Sequence, residues 1–197
     1  MDGLPRPCAG AGDLVVRVRA ASLNYHDIFT RRGMPGIKIP VPAIMGLDIA
    51  GEIAATGPGV SGWKMGDRVL GDPINRVEGG LTGETVHGGL AEYCRLRAHQ
   101  LFKIPDGVGF AEAVALPCPY GTARRMMFTH GRVTAGEKVL ILGSNGWARE
   151  DIAALLDLVQ SGQLEAVVDA TYPLERAAEA LARLEDRQVF GKLVIVP

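Results

Sequence analysis

Residues 136–162 read GEKVLILGSNGWAREDIAALLDLVQSG. After Gly136-Glu137-Lys138 comes the apolar run VLIL, the form of a strand buried on both faces of a parallel sheet. It leads into Gly143-Ser144-Asn145-Gly146 and then a helix over 149–160, stopped by Gly162. Strand, glycine turn and helix in that order are the parts of a dinucleotide loop, where a helix N-terminus and bare amides cradle a pyrophosphate. Two features oppose that reading. Only two of the expected glycines are present, and bulky Trp147 stands where the backbone should approach phosphate closely. A doubly wound sheet also needs several further β–α units, whereas two helices and one strand are expected downstream. Taken alone, the turn reads as a strand-to-helix connection.

Downstream, the second helix is expected over 174–187 after Pro173, with Leu174, Ala177, Ala178, Leu181 and Leu184 on one face. Residues 189–196 close the chain as a strand. Upstream, 110–130 is helix-like, and Pro117 and Pro119 are expected to break or kink it into a short helix followed by 120–130. Before Pro105 the signals are those of short strands: 13–23, alternating Val16/Arg17/Val18/Arg19, then 47–56, 67–70, 89–96 and 100–104. Gly/Pro turns separate them, which predicts an antiparallel barrel or sandwich. Residues 71–88 hold few apolar side chains and no period, and read as a long excursion loop where function can sit.

The 197 residues are 47% hydrophobic and 22% charged, with a net charge of −1, so the balance points to neither a nucleic-acid nor a membrane partner. No stretch approaches the length of a membrane span, and the first dozen residues lack the apolar core of a secretory signal. Cys8, Cys94 and Cys118 are an odd number with no C-x-x-C, which argues against a disulfide framework or structural zinc and for a reduced, cytoplasmic setting.

Three constellations carry candidate chemistry. Ser22-Leu23-Asn24-Tyr25-His26-Asp27 is a polar cluster at a strand end that can line a pocket; helix capping by Asn24 or Asp27 beside a solvated His26 accounts for it equally well. Asp48 and Glu52 share one face of a strand and form either a catalytic pair or, as the plainer reading, a capping and a solvated carboxylate. Cys118, between Pro117 and Pro119, reads as a small buried hydrophobe unless ligand partners join it.

Taken together, the segments resemble the medium-chain dehydrogenase/reductase superfamily of zinc alcohol dehydrogenases, quinone oxidoreductases and enoyl reductases. The matching pieces occur in family order: AASLNYHD with the RRG turn, GLDIAGEIAATGPGV, GWKMGDRV, GGLAEYCRL, LFKIPDGVGFAEAVAL, LPCPYGTARRMM, GEKVLILG and YPLERAAEALARLEDRQVFGKLVIVP. The resemblance implies an α+β fold: a GroES-like β-barrel with flanking helices, plus a remnant strand–helix of a Rossmann domain. It divides the chain into a substrate domain (1–138), a junction with a remnant of the cofactor domain (139–162), and a returning helix and strand (163–197). Zinc-binding members carry Cys where this chain has Asn24 and Gly-His-Glu where it has Gly46-Leu47-Asp48. Cys118 matches the third ligand position alone, so no zinc is expected.

By the same resemblance the parent activity is NAD(P)H-dependent reduction of a quinone, enone or related carbonyl. Asn24, Tyr25, His26 and Asp27 take the catalytic positions, with His26 and Asp27 in the polar relay. Thr122 faces the nicotinamide, Lys192 is a basic residue near the pyrophosphate, and Gly143 and Gly146 mark the cofactor turn; an ordinary solvated Lys192 is the competing reading. Because the sequence passes from GEKVLILG directly to a segment resembling the end of the Rossmann domain, weak cofactor binding and negligible turnover are expected. Apolar residues on 138–142 and 152–159 are expected to lose their cover and drive homo-oligomerisation. The alternative is a non-enzymatic GroES-like module that binds a small ligand or a subunit.

Overall fold

Strand β1 (Asp13–Ser22) is the one around which the sheet is built. The computed structural model describes residues 4–33, 38–138 and 149–197. β1 pairs along its whole length with β2 (Asp48–Thr56), antiparallel, from Leu14 opposite Thr56 to Ser22 opposite Asp48. Its other edge is shared: Asp13 to Arg17 pair with β4 (Tyr93–Arg97), whereas Ala21 and Ser22 pair with β7 (Lys192–Val196). Outside β2 lie β3 (Arg68–Gly71) and β5 (Leu101–Lys103), and β6 (Val168–Pro173) runs parallel to β7 at the far edge. The result is a mixed, seven-stranded sheet with flanking helices, an α+β fold.

A register shift between Val18 and Ala20 leaves Arg19 without a strand partner. Because side chains alternate across a sheet, one extra residue exchanges the faces. Before it, Leu14, Val16 and Val18 point into a cluster with Ile53, Val69 and Leu101; after it, Ala21 takes that face. Ala20 instead faces a second cluster with Leu70, Val114, Leu116 and Val194. The bulge thus lets one strand serve two cores. Arg19 itself is held by Glu52 at 2.7 Å.

The helices depart from the simple pattern of their sequence. α2 (Phe110–Ala115) and α3 (Gly121–Arg124) belong to one continuous helical run, because Leu116–Tyr120 adopts a π-helical turn rather than a break. Proline lacks the N–H that a regular α-turn needs, and the widened turn accommodates both prolines. A second π-turn spans Arg125–His130. α4 (Arg149–Gln160) was expected to be bare on one side. Ile152, Leu155 and Leu156 are buried in the second core against Leu70, Val114 and Leu116. Residues 139–148, including the expected strand and the Gly143–Gly146 turn, lie outside the described residues. After α4 comes β6, a strand the sequence reading lacked, and then α5 (Ala177–Glu185) entered through a 3₁₀ turn. Among the described residues no helix is long and apolar enough to cross a membrane.

Candidate active site

The end of β1 and the start of β2 lie opposite each other at Ser22 and Asp48, and β7 joins the same corner. Leu23 and Asn24 leave the strand, and α1 (Tyr25–Arg32) begins. Asp27, in the first turn of α1, accepts from the backbone N–H of Asn24 at 2.8 Å, which satisfies one of the helix's orphan donors. Its other oxygen accepts from the N–H of Gly46 at 3.1 Å, tying the helix to the entry of β2.

With Asp27 capping the backbone, the Asn24 side chain faces inward. Its Nδ2 donates to Asp48 Oδ2 at 2.7 Å, and Ser22 Oγ donates to the same oxygen at 2.7 Å. From β7, Lys192 Nζ donates to Asn24 Oδ1 (2.6 Å) and to the carbonyl of Leu23 (2.8 Å), and stands 3.5 Å from Asp48 Oδ2. Ser22, Asp27 and Asp48 are fully buried, and Asn24 and Lys192 nearly so. Asp48 Oδ1 is buried with no hydrogen-bond partner among the described residues. Burial, reinforced by neighbouring Asp48, pushes the Asp27 carboxyl up to about 6, against the opposing pull of the Asn24 amide, Lys192 and the Gly46 amide.

Cys118 lies beside this cluster. Burial, with the charges of Asp48 and Asp27, pushes its thiol up to about 12, Lys192 opposing. Thr122 is fully buried and donates to the Cys118 carbonyl at 2.5 Å.

The four residues assigned to catalysis therefore divide. Asn24 and Asp27 belong to the buried cluster with Lys192; Tyr25 and His26 face outward. Tyr25 is exposed and stands edge-on to Phe29, with ring centroids 5.5 Å apart. His26 Nε2 meets Glu84 Oε2 at 2.5 Å. Glu84 lies on the excursion loop and was not singled out from sequence. Lys192 is not the solvated lysine of the plainer reading: its hydrogens are taken by groups within the chain. Asp48 and Glu52 are not a pair either, since Glu52 is bound to Arg19 on the strand's outer part while Asp48 is enclosed. Gly143 and Gly146 lie outside the described residues.

Residues 10–106 match the family model described as the alcohol dehydrogenase GroES-like domain, and residues 87–195, more than half of the chain, match the one described as zinc-binding dehydrogenase. The chain belongs to the medium-chain dehydrogenase/reductase superfamily. Among its relatives, the quinone oxidoreductase of Lama guanicoe is 36% identical over 133 residues, which cover 68% of this chain and 37% of that protein. The human synaptic vesicle membrane protein VAT-1 homolog is 36% identical over 135 residues, covering 68% and 31%. The matched region thus spans about a third of the length of these curated relatives. Among solved structures, an NAD-dependent alcohol dehydrogenase superposes with a TM-score of 0.85 at 24% identity, covering 99% of this chain and 94% of that one. AibC superposes at 0.86 and 21% identity, covering 98% and 90%. These likenesses show the fold.

The family raises the question of zinc, and the residues here do not fit it. The Asn24 amide oxygen is taken by an ammonium, Leu47 is apolar and buried, and Lys192 already sets a positive charge beside Asp48. Cys118 is thus left as a single thiol, where a zinc site takes at least three protein ligands. No group of three or more His, Cys, Asp or Glu able to hold a metal occurs among the described residues. Thr122 and Lys192, the two described residues assigned to the cofactor, both use their donors internally.

Proposed function

We propose that this chain is the substrate-side domain of an oxidoreductase that acts on a quinone, enone or related carbonyl without a catalytic zinc. The observation that carries this reading is the Lys192 ammonium, held by Leu23, Asn24 and Asp48 at the corner where the zinc-binding members of the family bring their ligands. The quinone oxidoreductases among the relatives support the substrate class. In the family, NAD(P)H supplies the hydride. This chain supplies the wall against which a substrate rests: the exposed Tyr25–Phe29 pair offers an aromatic face, and half-buried His26 a polar ring edge. Without a metal to polarise the carbonyl, positioning and polar contacts carry the remaining chemistry.

By itself the chain binds the dinucleotide weakly and turns over negligibly. Protein purified without added metal, assayed by elemental analysis, by tryptophan-fluorescence titration against a para-quinone and against NADPH, and by NADPH oxidation, tests the reading. Zinc far below one per chain, saturable quinone quenching and no resolvable NADPH oxidation are expected. Stoichiometric zinc would overturn the zinc-free site, absence of quinone binding the substrate class, and micromolar NADPH affinity the view that this chain lacks a complete cofactor half.

A further inference from the structure

The excursion loop meets the site at the tight turn over residues 81–86. The N–H groups of Glu84, Thr85 and Val86 gather on the Leu81 carbonyl, and Gly83 N–H donates to Val86 O at 2.9 Å. From this turn Glu84, its side chain only 8% exposed, reaches His26, whose ring is 29% exposed.

The backbone fixes both partners. Gly83 has φ +78°, and a Cβ built there would lie 2.7–2.8 Å from the backbone atoms of Gly46, so only glycine lets the loop rest against that residue. Gly46 is in turn held through its N–H by Asp27 Oδ1, while Asp27 Oδ2 holds the N–H of Asn24 at the start of α1. One buried carboxylate thus locates both the seat of the loop and the helix turn that bears His26. The contact between Glu84 and His26 is built into the fold from both sides.

We propose that Glu84 is a positioning residue for His26, a role that rests on the oxidoreductase reading above. An ionised carboxylate has only acceptors, so the hydrogen in this contact belongs to the imidazole. Glu84 therefore holds neutral His26 as the Nε2–H tautomer and fixes the plane of its ring. Nδ1 is left as the ring atom at which a proton is accepted and held for a substrate oxygen or a water. Glu84 does not touch substrate; it acts through His26.

Histidine-labelled protein, followed by long-range proton–nitrogen NMR with His26→Asn for assignment, tests the proposal. In the wild type His26 should show a protonated Nε2 and a bare Nδ1. Glu84→Ala should abolish that preference, so that the ring samples both tautomers, and Glu84→Asp should restore it in part. A wild-type His26 with its proton on Nδ1 overturns the proposal, and this readout decides even if Glu84→Ala fails to fold. A folded Glu84→Ala protein that loses stability but keeps the wild-type nitrogen pattern also overturns it, because Glu84 would then serve the loop alone. The NMR readout needs neither substrate nor cofactor, so its outcome is separate from that of the quinone and NADPH titrations.

Discussion

The two ends of β1 each carry a cluster of carboxylate and cation, in opposite surroundings. At the Asp13 end, Asp13 meets Arg97 at 3.0 Å and Arg95 at 3.7 Å, and Arg97 continues to Glu78. The arginines and Glu78 are between 34% and 59% exposed, so water and salt screen their charges. At the Ser22 end, Asp48 and Lys192 are 0% and 7% exposed and their neighbours are dry. Both clusters tie β1 to its partners, β4 at one end and β2 with β7 at the other. The difference teaches where a charge matters. At the Asp13 end only Asp13 is shielded, while its arginines and Glu78 reach water, so a lost Glu78 is replaced by solvent; at the Ser22 end a lost partner leaves an ion stranded.

Lys192→Met breaks the comparison at its strongest point. Methionine fills much of the volume but leaves Asp48 with a buried charge, one oxygen of which already lacks a partner. Removing one member of a buried pair costs about 3–5 kcal/mol, and urea unfolding should show a loss of that size. Adding Asp48→Asn removes the stranded charge, so the double variant should be more stable than Lys192→Met alone. A loss under about 1 kcal/mol for Lys192→Met, the scale of an exposed pair, would mean that the two ends do not differ as their burial implies.

Asp27 sharpens the same contrast through pH. Its carboxyl is raised from 3.8 to about 6, burial being the largest cause. The folded chain therefore holds this proton more tightly than the unfolded one. The group's contribution is fully present below the lower value, declines as pH rises through the interval, and is constant above about 6. Asp27→Asn removes the titration. The difference in unfolding free energy, variant minus wild type, should climb by about 2–3 kcal/mol between about pH 4 and about pH 7. Parallel urea titrations across that range check it, and a flat difference would contradict the burial argument. The absolute sign at one pH is a weaker test, because asparagine also gives up one of the two acceptors used by Asn24 and Gly46.

What the sequence made legible follows the same division between local and distant causes. β1 could be read because Val16, Arg17 and Val18 alternate, and α4 because its apolar residues recur at helical spacing. β6 could not. Residues 168–173 (VDATYP) show no clean alternation, with only Tyr172 buried, and their extended form comes from parallel pairing with β7. The prolines of Leu116–Tyr120 signalled a break, but tertiary packing of Leu116 and Pro117 keeps the helix running in a widened form. At the site, Asn24 and Asp27 stand out as part of a polar cluster at a strand end, and Lys192 was reached through the family resemblance. The inward turn of Lys192 was not, since a lysine on a terminal strand looks solvated until a partner 168 residues away closes over it. Glu84 had no signal of its own. It lies 58 residues from His26 in a loop without period, and what brings it there is the contact of Gly83 with Gly46.

The smallest effect is expected at the exposed end. Arg97 donates to Glu78 and Asp13, and to the carbonyl of Ala11 at 2.6 Å. The guanidinium, with help from Asn75, holds the Glu78 carboxyl below its usual range. By the sign of that shift, the interaction is present at neutral pH and is lost as acid protonates Glu78. Yet the carboxylate stands in water, and holding two long side chains in register opposes the Coulomb gain. Glu78→Gln should therefore leave the urea midpoint at neutral pH close to that of the wild type, and any residual difference should vanish in molar salt. Glu78 is the better probe than Arg97, whose replacement would also strip the Ala11 carbonyl and Asp13 of a donor. A salt-resistant loss comparable to that of Lys192→Met would show that the Asp13 end is as closed to solvent as the Ser22 end, and the contrast between them would fail.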